Sequence, residues 1–433
     1  MKKSLVVGML RETKYREQRA PLTPADVSWL KKLQLEIEVE SSKDRIFSDV
    51  AYKKAGARIV DQCRAAKLLI GIKEPSVSLL KTNAVYLVFS HTIKGQAENL
   101  PLLKNCMKKG ITLIDYERIV DRHERRLVYF GKYAGICGTI DSLFYFGKKL
   151  DANRIPHPFT QLKPAHQYKR YARAQKAISQ LGKKIHSKGL REHLSPFIIG
   201  FTGHGNVSAG VREVLKLLNP VEIHPRDMEE FVHRKKGKTK KIYLINFYRE
   251  EKFRRKDHKG FYFEEYLHTP QKFESNMEKY LPHINLLLHA SYWEQRFPRL
   301  VPKEMIHRIW KTSCRLSFIG DISCDVNGSI ELTYKTTTPE NPVYTYNPAK
   351  GTFTNGYKAR GITILARDNL PSELPKDASV EFSNAIKEYV YQIAVHGSTD
   401  ITNHVALPAE IRRAVITQEK ELTESYSYLK NYL

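Results

Sequence analysis

Short apolar runs alternate with amphipathic stretches along residues 1–135. Runs typical of buried parallel strands occur in SLVVGML, EIEVE, KLLIGI, AVYLVF and ITLID, and helical patterns lie between them. After the first run, Thr23 can cap a helix that has Pro24 in its first turn. This alternation predicts a mostly parallel sheet with helices on both faces.

One of these strands ends in residues that are capable of chemistry. The apolar run 85–89 is followed directly by Ser90 and His91 and, three residues later, by Lys94. In open α/β folds, ligands bind beyond the carboxyl ends of parallel strands. His91 and Lys94 are therefore candidate site residues, although a polar pair that only ends the strand explains this stretch equally well.

A second unit begins near residue 196, where PFIIGFTGHGNVSAGVREVLKLLNPVEIHP predicts a strand, a glycine-rich turn, a helix and a strand. This is the usual start of a dinucleotide-binding domain: Gly203 makes the tight turn, and Gly205 lets the backbone approach a pyrophosphate at the helix N-terminus. Ser208 stands where the motif has its third glycine, and Gly210 follows two residues later. The cofactor-binding residues predicted from the turn are Gly203, Gly205, Asn206, Val207 and Ser208.

Further strands extend the second unit, and the pattern of alternating strands and helices then ends. KIYLINF, INLLLHA and RLSFIGD are predicted to join the same sheet, whereas the pattern is lost from about Thr336. The sequence predicts an α/β protein of two Rossmann-like domains, each a mostly parallel sheet with helices on both faces, with a cleft between them. Residues 1–134 plus 336–433 are predicted to form the substrate domain, and residues 135–335 the dinucleotide-binding domain.

Composition narrows the functional classes. The net charge is +26, yet the basic runs HRKKGKTKK and EEKFRRKDHKG accompany no nucleic-acid-binding motif, so we interpret them as solvated loops. The excess charge suits acidic substrates. No run is long enough to cross a membrane, and LVVGML is too short for the core of a signal peptide. Five scattered cysteines without a CxxC pair favour a reducing cytoplasm and no metal site.

Ten motifs together resemble a known family: REQRAPLTP, GIKEP, FSHTIKGQ, LIDYERIVD, VYFGKYAG, TGHGNVSAG, YWEQRFPRL, GDISCDVNGSIE, DNLPSELPKDAS and RRAVIT. The chain resembles the lysine–ketoglutarate reductase module of the bifunctional aminoadipic semialdehyde synthases. More distantly it resembles lysine-forming saccharopine dehydrogenase and alanine dehydrogenase. The sequence stops before a downstream dehydrogenase module, so the resemblance implies a stand-alone version of the first activity.

The resemblance implies an NAD(P)-dependent oxidoreductase that acts on a CH–NH bond. Such enzymes join the ε-amine of L-lysine to C2 of 2-oxoglutarate and reduce the imine to saccharopine, or run the reverse reaction. The expected partners are these small molecules, and a homo-oligomer is compatible with the sequence. Two alternatives stay open: an alanine-dehydrogenase-like enzyme that uses pyruvate and ammonia, and a non-catalytic basic binding protein. The insert at roughly residues 230–280 favours the saccharopine branch.

The resemblance also implies site residues, with Lys73 and His91 as the acid–base pair. Imine formation needs proton transfer near neutral pH, where histidine titrates. Saccharopine carries three carboxylates, which arginine binds through two parallel hydrogen bonds. The implied substrate-binding positions are Arg19, Lys94 and Arg126 for carboxylates, and Glu17 for a cation or an amino group.

The strand after the glycine turn bears on the choice of cofactor. NAD-selective domains carry an acidic residue about 20 positions beyond the first glycine, but here His224 and Arg226 stand near that point. NADP(H) is therefore favoured, with NAD(H) as the alternative, because Arg226 can bind a 2′-phosphate. Asp227 would favour NAD(H) if the strand ended differently. Asp321, after a later strand, is expected to border the nicotinamide, although a simple strand-end turn explains it almost as well.

Overall fold

The computed structural model describes residues 5–234, 237–396, 401–402 and 404–433. The chain forms two compact units. The first unit comprises Met1–Phe130 and Pro375–Leu433, and the second unit comprises Gly131–Leu374. No helix within the described ranges combines the length and the apolar character that crossing a membrane requires.

Most strands are short, as is usual for open parallel sheets. In chain order the strands are β1 Val7–Met9, β2 Ile37–Glu40, β3 Arg58–Val60, β4 Leu68–Ile70, β5 Val85–Val88, β6 Thr112–Asp115, β7 Phe197–Thr202, β8 Val221–Glu222, β9 Ile242–Phe247, β10 Phe253–Arg255, β11 Phe273–Ser275, β12 Leu286–His289, β13 Phe318–Asp321, β14 Tyr344–Asn347, β15 Thr352–Asn355, β16 Ile362–Leu365, β17 Val415–Gln418 and β18 Glu421–Leu422.

Helices connect the strands, together with several 3₁₀ turns. The α-helices are α1 Pro24–Lys32, α2 Asp49–Lys54, α3 Leu100–Lys108, α4 Gly131–Ala152, α5 Ala165–Tyr168, α6 Tyr171–Lys188, α7 Asn206–Lys216, α8 Met228–Arg234, α9 Arg249–Lys252, α10 Phe263–His268, α11 Lys303–Trp310, α12 Pro375–His396 and α13 Ala409–Arg413. Thr23 caps α1, as predicted, by accepting a hydrogen bond from the backbone N–H of Asp26 at 3.2 Å.

The sheet of the first unit has the order β18-β17-β6-β5-β4-β1-β2-β3 among the described residues. Strands β1–β6 are parallel, in the order of a doubly wound nucleotide-binding fold, and β17 and β18 add antiparallel strands at the β6 edge. Helix α12 packs with α1 on one face, where Ser383 Oγ donates to Asp26 Oδ2 at 2.6 Å. Helix α3 covers the other face.

The sheet of the second unit has the order β15-β14-β16-β13-β12-β7-β9-β8, in which β14 alone of these strands runs in the opposite direction. Helices α4 and α7 of this unit pack closely against each other. A Cβ on Gly135 would lie 1.9 Å from the carbonyl oxygen of Val207, and one on Gly210 would lie 2.0 Å from that of Lys132. Gly210 therefore permits close packing of α7 against α4, whereas the third glycine of the motif usually allows a helix to pack closely on a strand.

The predicted domain boundary at residue 336 was wrong. Strand β16 is buried and pairs in parallel with β13, and the hairpin β14–β15 pairs along its outer side. These three strands extend the sheet of the second unit, so the chain leaves that unit only at Pro375. An antiparallel hairpin lacks the strand–helix alternation from which the boundary was predicted.

Candidate active site

The loop after β5 holds His91 in a specific conformation. Its backbone has φ of +51°, in the left-handed region that non-glycine residues occupy at a cost. Three contacts hold the loop: Ser90 donates both its backbone N–H and its hydroxyl to the buried carboxylate of Asp115, and Asn99 Nδ2 donates to the carbonyl oxygen of His91 at 3.1 Å. The polar residues that end the AVYLVF strand therefore fix the direction of the imidazole.

Glu74 joins His91 to a lysine. Its carboxylate lies 3.2 Å from His91 Nδ1 and 2.5 Å from Lys14 Nζ. Burial alone would raise the pKa of Glu74, but the hydrogen bonds from His91 and Lys14 lower it to about 2. A carboxylate that stays ionised accepts the Nδ1 proton, which leaves Nε2 of His91 to exchange protons with a bound molecule.

Lys73 lies beside the same edge of the sheet, on the segment that follows β4. Met9, Ile70 and Leu87 are register partners on adjacent strands, so residues a few positions beyond them emerge side by side. Glu12, which the sequence analysis missed, accepts hydrogen bonds from the backbone N–H groups of Ile72 at 2.6 Å and Lys73 at 3.1 Å.

Burial raises the pKa of Glu12 to about 7. Glu12, Lys73 and Glu74 line a cavity of about 390 Å³ at the β1/β4 position, where the strand order of the first sheet reverses. Ligands of open α/β sheets bind at this point.

Arg19 and Glu17 form a buried pair. Arg19 Nε and Nη2 donate to the two carboxylate oxygens of Glu17 at 2.7 and 2.5 Å, and the two side chains are 2% and 0% exposed. The guanidinium also stacks 4.1 Å from the ring centre of Phe130. Phe89 lies within 6.0 Å of Phe130 and 6.3 Å of the His91 ring, so continuous ring contacts connect Arg19 with His91. Glu17 therefore binds a cation of the chain itself.

The other two predicted substrate-binding cations lie further out. Arg126 is half exposed and pairs with Glu117 at 3.0 Å, just after β6. Lys94 is exposed on the loop three residues beyond His91. The structure thus brings Lys73, His91, Glu17 and Arg19 to one edge of the first sheet and leaves Lys94 and Arg126 toward solvent.

Arg19→Ala is expected to lower the free energy of unfolding by about 3–5 kcal/mol, because it removes the guanidinium that donates two hydrogen bonds to the buried Glu17 carboxylate. It should also raise the half-saturating concentration of a dicarboxylate substrate. Urea denaturation measures the first effect and initial rates the second.

Arg126→Ala is the matched control, since breaking a half-exposed pair should cost only about 0–1 kcal/mol. The double variant Glu17→Gln/Arg19→Met should recover part of the lost stability, because it also removes the buried negative charge of Glu17. Wild-type stability in Arg19→Ala would show that the pair between Arg19 and Glu17 does not stabilise the folded protein.

The glycine turn of the second unit fits a dinucleotide. Gly203 has φ of +105°, and a Cβ there would lie 2.3 Å from the carbonyl oxygen of Ala290. Gly205 precedes α7, no atom lies within 4 Å of where its Cβ would be, and no side chain caps the helix. The first N–H groups of α7, at Asn206, Val207 and Ser208, therefore face open space in which a pyrophosphate can bind.

Four neighbouring strands end in register beside this turn: Phe247 pairs with Thr202, Thr202 with His289, and His289 with Asp321. His289 is 1% exposed, its Nδ1 lies 2.9 Å from Thr202 Oγ1, and its Nε2 has no hydrogen-bond partner. Burial, followed by the charge of Lys252, lowers the pKa of His289 to about 3, so the ring is neutral at pH 7. An unpartnered buried nitrogen here suits a ligand group.

Lys252 and Asp321 complete this polar edge. Lys252 comes from the run EEKFRRKDHKG that we interpreted as solvated, yet it is 5% exposed and its Nζ lies 3.2 Å from Ser291 Oγ. Burial lowers its pKa to about 8. Asp321 accepts a hydrogen bond from Thr333 Oγ1 at 2.6 Å. Within the described ranges, no three His, Cys, Asp or Glu side chains cluster as metal ligands.

Asp321→Asn is expected to flatten the pH dependence of stability. Burial raises the pKa of Asp321 from 3.8 to about 7, so the folded state holds a proton that the unfolded state releases. The resulting stabilisation is complete below about pH 4 and is lost as the pH rises through 7. Denaturation at pH 5, 6, 7 and 8 should show a smaller decline in the variant than in wild type.

Asp227→Asn serves as the control, because that carboxylate is 61% exposed. An unchanged slope in Asp321→Asn, or equal flattening in both variants, would contradict the buried protonated state of Asp321.

The structure removes the basis for assigning His224 and Arg226. Strand β8 lies at the edge of the sheet, and β9 rather than β8 is the neighbour of β7. Arg226 is 77% exposed, 3.7 Å from Asp227, and donates its backbone N–H to His224 Nδ1. The strand beside the glycine turn is therefore β9, and the residues next to that turn are those that follow β9 rather than those that follow β8.

Two models of one protein family match the chain. Residues 8–137 match the family described as alanine dehydrogenase/PNT, N-terminal domain, and residues 244–425 match its C-terminal domain. The chain belongs to the alanine dehydrogenase/PNT family. Within it, the chain is 34% identical to the alpha-aminoadipic semialdehyde synthase of Arabidopsis thaliana, over 98% of this chain and 41% of that protein. The chain thus spans less than half the length of that relative.

Two further similarities concern a curated relative and a solved structure. It is 26% identical to the lysine-forming, NAD⁺-dependent saccharopine dehydrogenase of Emericella nidulans, over 89% of this chain and 92% of that protein. A solved structure of L-alanine dehydrogenase aligns with a TM-score of 0.62 at 16% identity, over 98% of this chain and 100% of that chain. This last likeness concerns the fold alone, and it agrees with the predicted α/β class.

Proposed function

We propose that the chain is an NAD(P)-dependent oxidoreductase of the lysine–ketoglutarate reductase type, which condenses L-lysine reductively with 2-oxoglutarate to saccharopine or runs the reverse. The observation that carries the proposal is the arrangement of His91, Glu74 and Lys73 at the carboxyl edge of the first sheet. A relative named as a lysine-forming saccharopine dehydrogenase aligns over 89% of the chain, which supports the proposal.

The proposed acid–base work is divided between His91 and Lys73. Attack of the lysine ε-amine on C2 of 2-oxoglutarate requires loss of a proton from nitrogen, and departure of water from the carbinolamine requires a proton on oxygen. Glu74 holds Nδ1 of His91 at 3.2 Å, so Nε2 is the atom that exchanges protons. Glu12 holds the backbone at Lys73 and so fixes where its ammonium group emerges.

Carboxylate binding is proposed for Arg19, Lys94 and Arg126. Arg19 is preorganised by Glu17 and Phe130, which limits the entropy lost when a substrate binds. Lys94 and Arg126 are exposed, so they contribute mainly attraction at longer range.

The second unit is proposed to hold the nicotinamide cofactor through Gly203, Gly205 and the N-terminus of α7, with Asp321 toward the nicotinamide end. When bound, the cofactor supplies or accepts the hydride at C2. We propose NADP(H) in preference to NAD(H), because Arg249, a cation, is the second residue after β9 beside the glycine turn. Five free thiols suit a reducing compartment, for which we propose the cytoplasm.

The test is an initial-rate assay of the purified chain with reduced cofactor. Oxidation of NADPH should require both lysine and 2-oxoglutarate, and omission of either should abolish it. Activity with pyruvate and ammonium instead would indicate the alanine-dehydrogenase-like alternative, and binding of no nucleotide would favour the non-catalytic one.

A further inference from the structure

Strand β9 occupies the place that the second strand holds in most dinucleotide-binding domains. It pairs with β7 over its whole length, and Phe247 is the partner of Thr202. Tyr248 and Arg249 therefore follow β9 at the level where Gly203 and His204 follow β7. Strand β8 pairs with the far side of β9 and ends at Glu222, opposite Leu244. The end of β8 is thus one strand further from β7, by about 4.8 Å, and it lies three residues before the carboxyl end of β9.

The glycine turn and the end of β9 touch. The rings of His204 and Tyr248 stack with their centres 4.4 Å apart and an angle of 17° between their planes. Arg249 is exposed and lies with its guanidinium 4.5 Å from the ring centre of Phe263. The stacked pair borders the space beside Gly205, where the adenosine ribose of a dinucleotide is held in this fold, and Arg249 directly follows Tyr248 in the chain.

Cations outnumber carboxylates at this position. Burial lowers the pKa of His204, and the charges of Lys252, Arg212 and Arg249 lower it further, whereas Glu250 opposes them with a smaller effect. Arg212 lies 5.0 Å from the ring centre of Phe201, which immediately precedes the last residue of β7. Glu251 accepts a hydrogen bond from the backbone N–H of Tyr248 at 2.8 Å, so the three cations exceed the two nearby carboxylates by one. This excess favours an anionic group on the ribose over two neutral hydroxyls.

We infer that Arg249 is the specificity-determining residue for the cofactor and binds the 2′-phosphate of NADP(H) beside the stacked His204–Tyr248 pair. This inference rests on the proposed function, since it requires that the second unit bind a nicotinamide dinucleotide. Arginine suits the task because its planar group can donate two parallel hydrogen bonds to one phosphate.

The test compares Arg249→Ala with Arg226→Ala, a matched control on the outer strand. Binding of NADPH and of NADH is measured by titration of the reduced-nicotinamide fluorescence, and 2′,5′-ADP and 5′-AMP serve as competitors without a nicotinamide. We expect Arg249→Ala to weaken NADPH and 2′,5′-ADP by about 10–100-fold, as loss of a charge-assisted contact does, with NADH and 5′-AMP little changed. Arg249→Lys should lose less, and Arg226→Ala should bind like wild type.

The outcomes separate this inference from the function. Loss of NADPH affinity in Arg226→Ala but not in Arg249→Ala, or equal loss of both nucleotides in Arg249→Ala, would overturn the assignment and leave the reductase proposal intact. A wild-type preference for NADH would overturn the assignment as well. Binding of neither nucleotide by the wild-type chain would overturn the proposed function together with it.

Discussion

Lys73→Met is expected to lower the turnover number by about 10²–10⁴, the usual contribution of one positioned proton-transfer group. Methionine keeps most of the length of the lysine side chain and its unbranched apolar character, and Glu12 bonds to the backbone at this residue, so the loop should keep its position. The affinity for NADPH, measured by fluorescence titration, should stay within about twofold, because Lys73 belongs to the first unit and the proposed cofactor residues to the second.

The control for this variant is Lys104→Met, which removes an exposed lysine from α3 of the same unit. It should keep wild-type turnover. If Lys73→Met also turned over normally at saturating lysine and 2-oxoglutarate, Lys73 would not be an acid–base group.

His91→Asn should lower turnover by a similar factor, about 10²–10⁴. Asparagine is chosen because it tolerates the left-handed backbone that His91 adopts, so the variant removes the imidazole without straining the loop. His91→Ala should be at least as slow and somewhat less stable, since alanine meets the full backbone cost. Steady-state rates and thermal unfolding of both variants separate the two effects.

His123→Ala, an exposed histidine in the same unit, is the comparison for these variants. Rates near wild type in His91→Asn, with normal folding, would remove His91 from the proposed mechanism. A slow His91→Ala beside a normal His91→Asn would indicate that only the shape of the loop matters.

The alternation of apolar runs was sufficient to predict both parallel sheets, because a strand buried on both faces carries a recognisable apolar pattern. The register of those strands was not predictable in the same way. Strand β8 follows α7 in sequence, but only two residues of it pair, and the buried run Ile242–Phe247 takes the place beside β7. Sequence order therefore led to Arg226, and the sheet order leads to Arg249.

The site residues divide in a similar way. The position of His91 at the end of a strand was predictable because an apolar run precedes it, and the run INLLLHA gives the same signal for His289. Glu12 had none, since its carboxylate bonds to backbone groups sixty residues away. Lys252 sits in a run of charged residues, and only the fold shows that it is buried. The role of a polar residue thus depends on partners that are distant in the chain.

The most direct test of the central claim is to trace the ε-nitrogen of L-lysine into the product. The purified chain is incubated with L-lysine labelled with ¹⁵N at the ε position, unlabelled 2-oxoglutarate and NADPH, and the products are analysed by mass spectrometry. Our account predicts saccharopine that retains the ¹⁵N label, formed together with NADP⁺ and absent from the Lys73→Met reaction beyond a trace. Absence of labelled saccharopine from a folded wild-type chain that binds NADPH would contradict it.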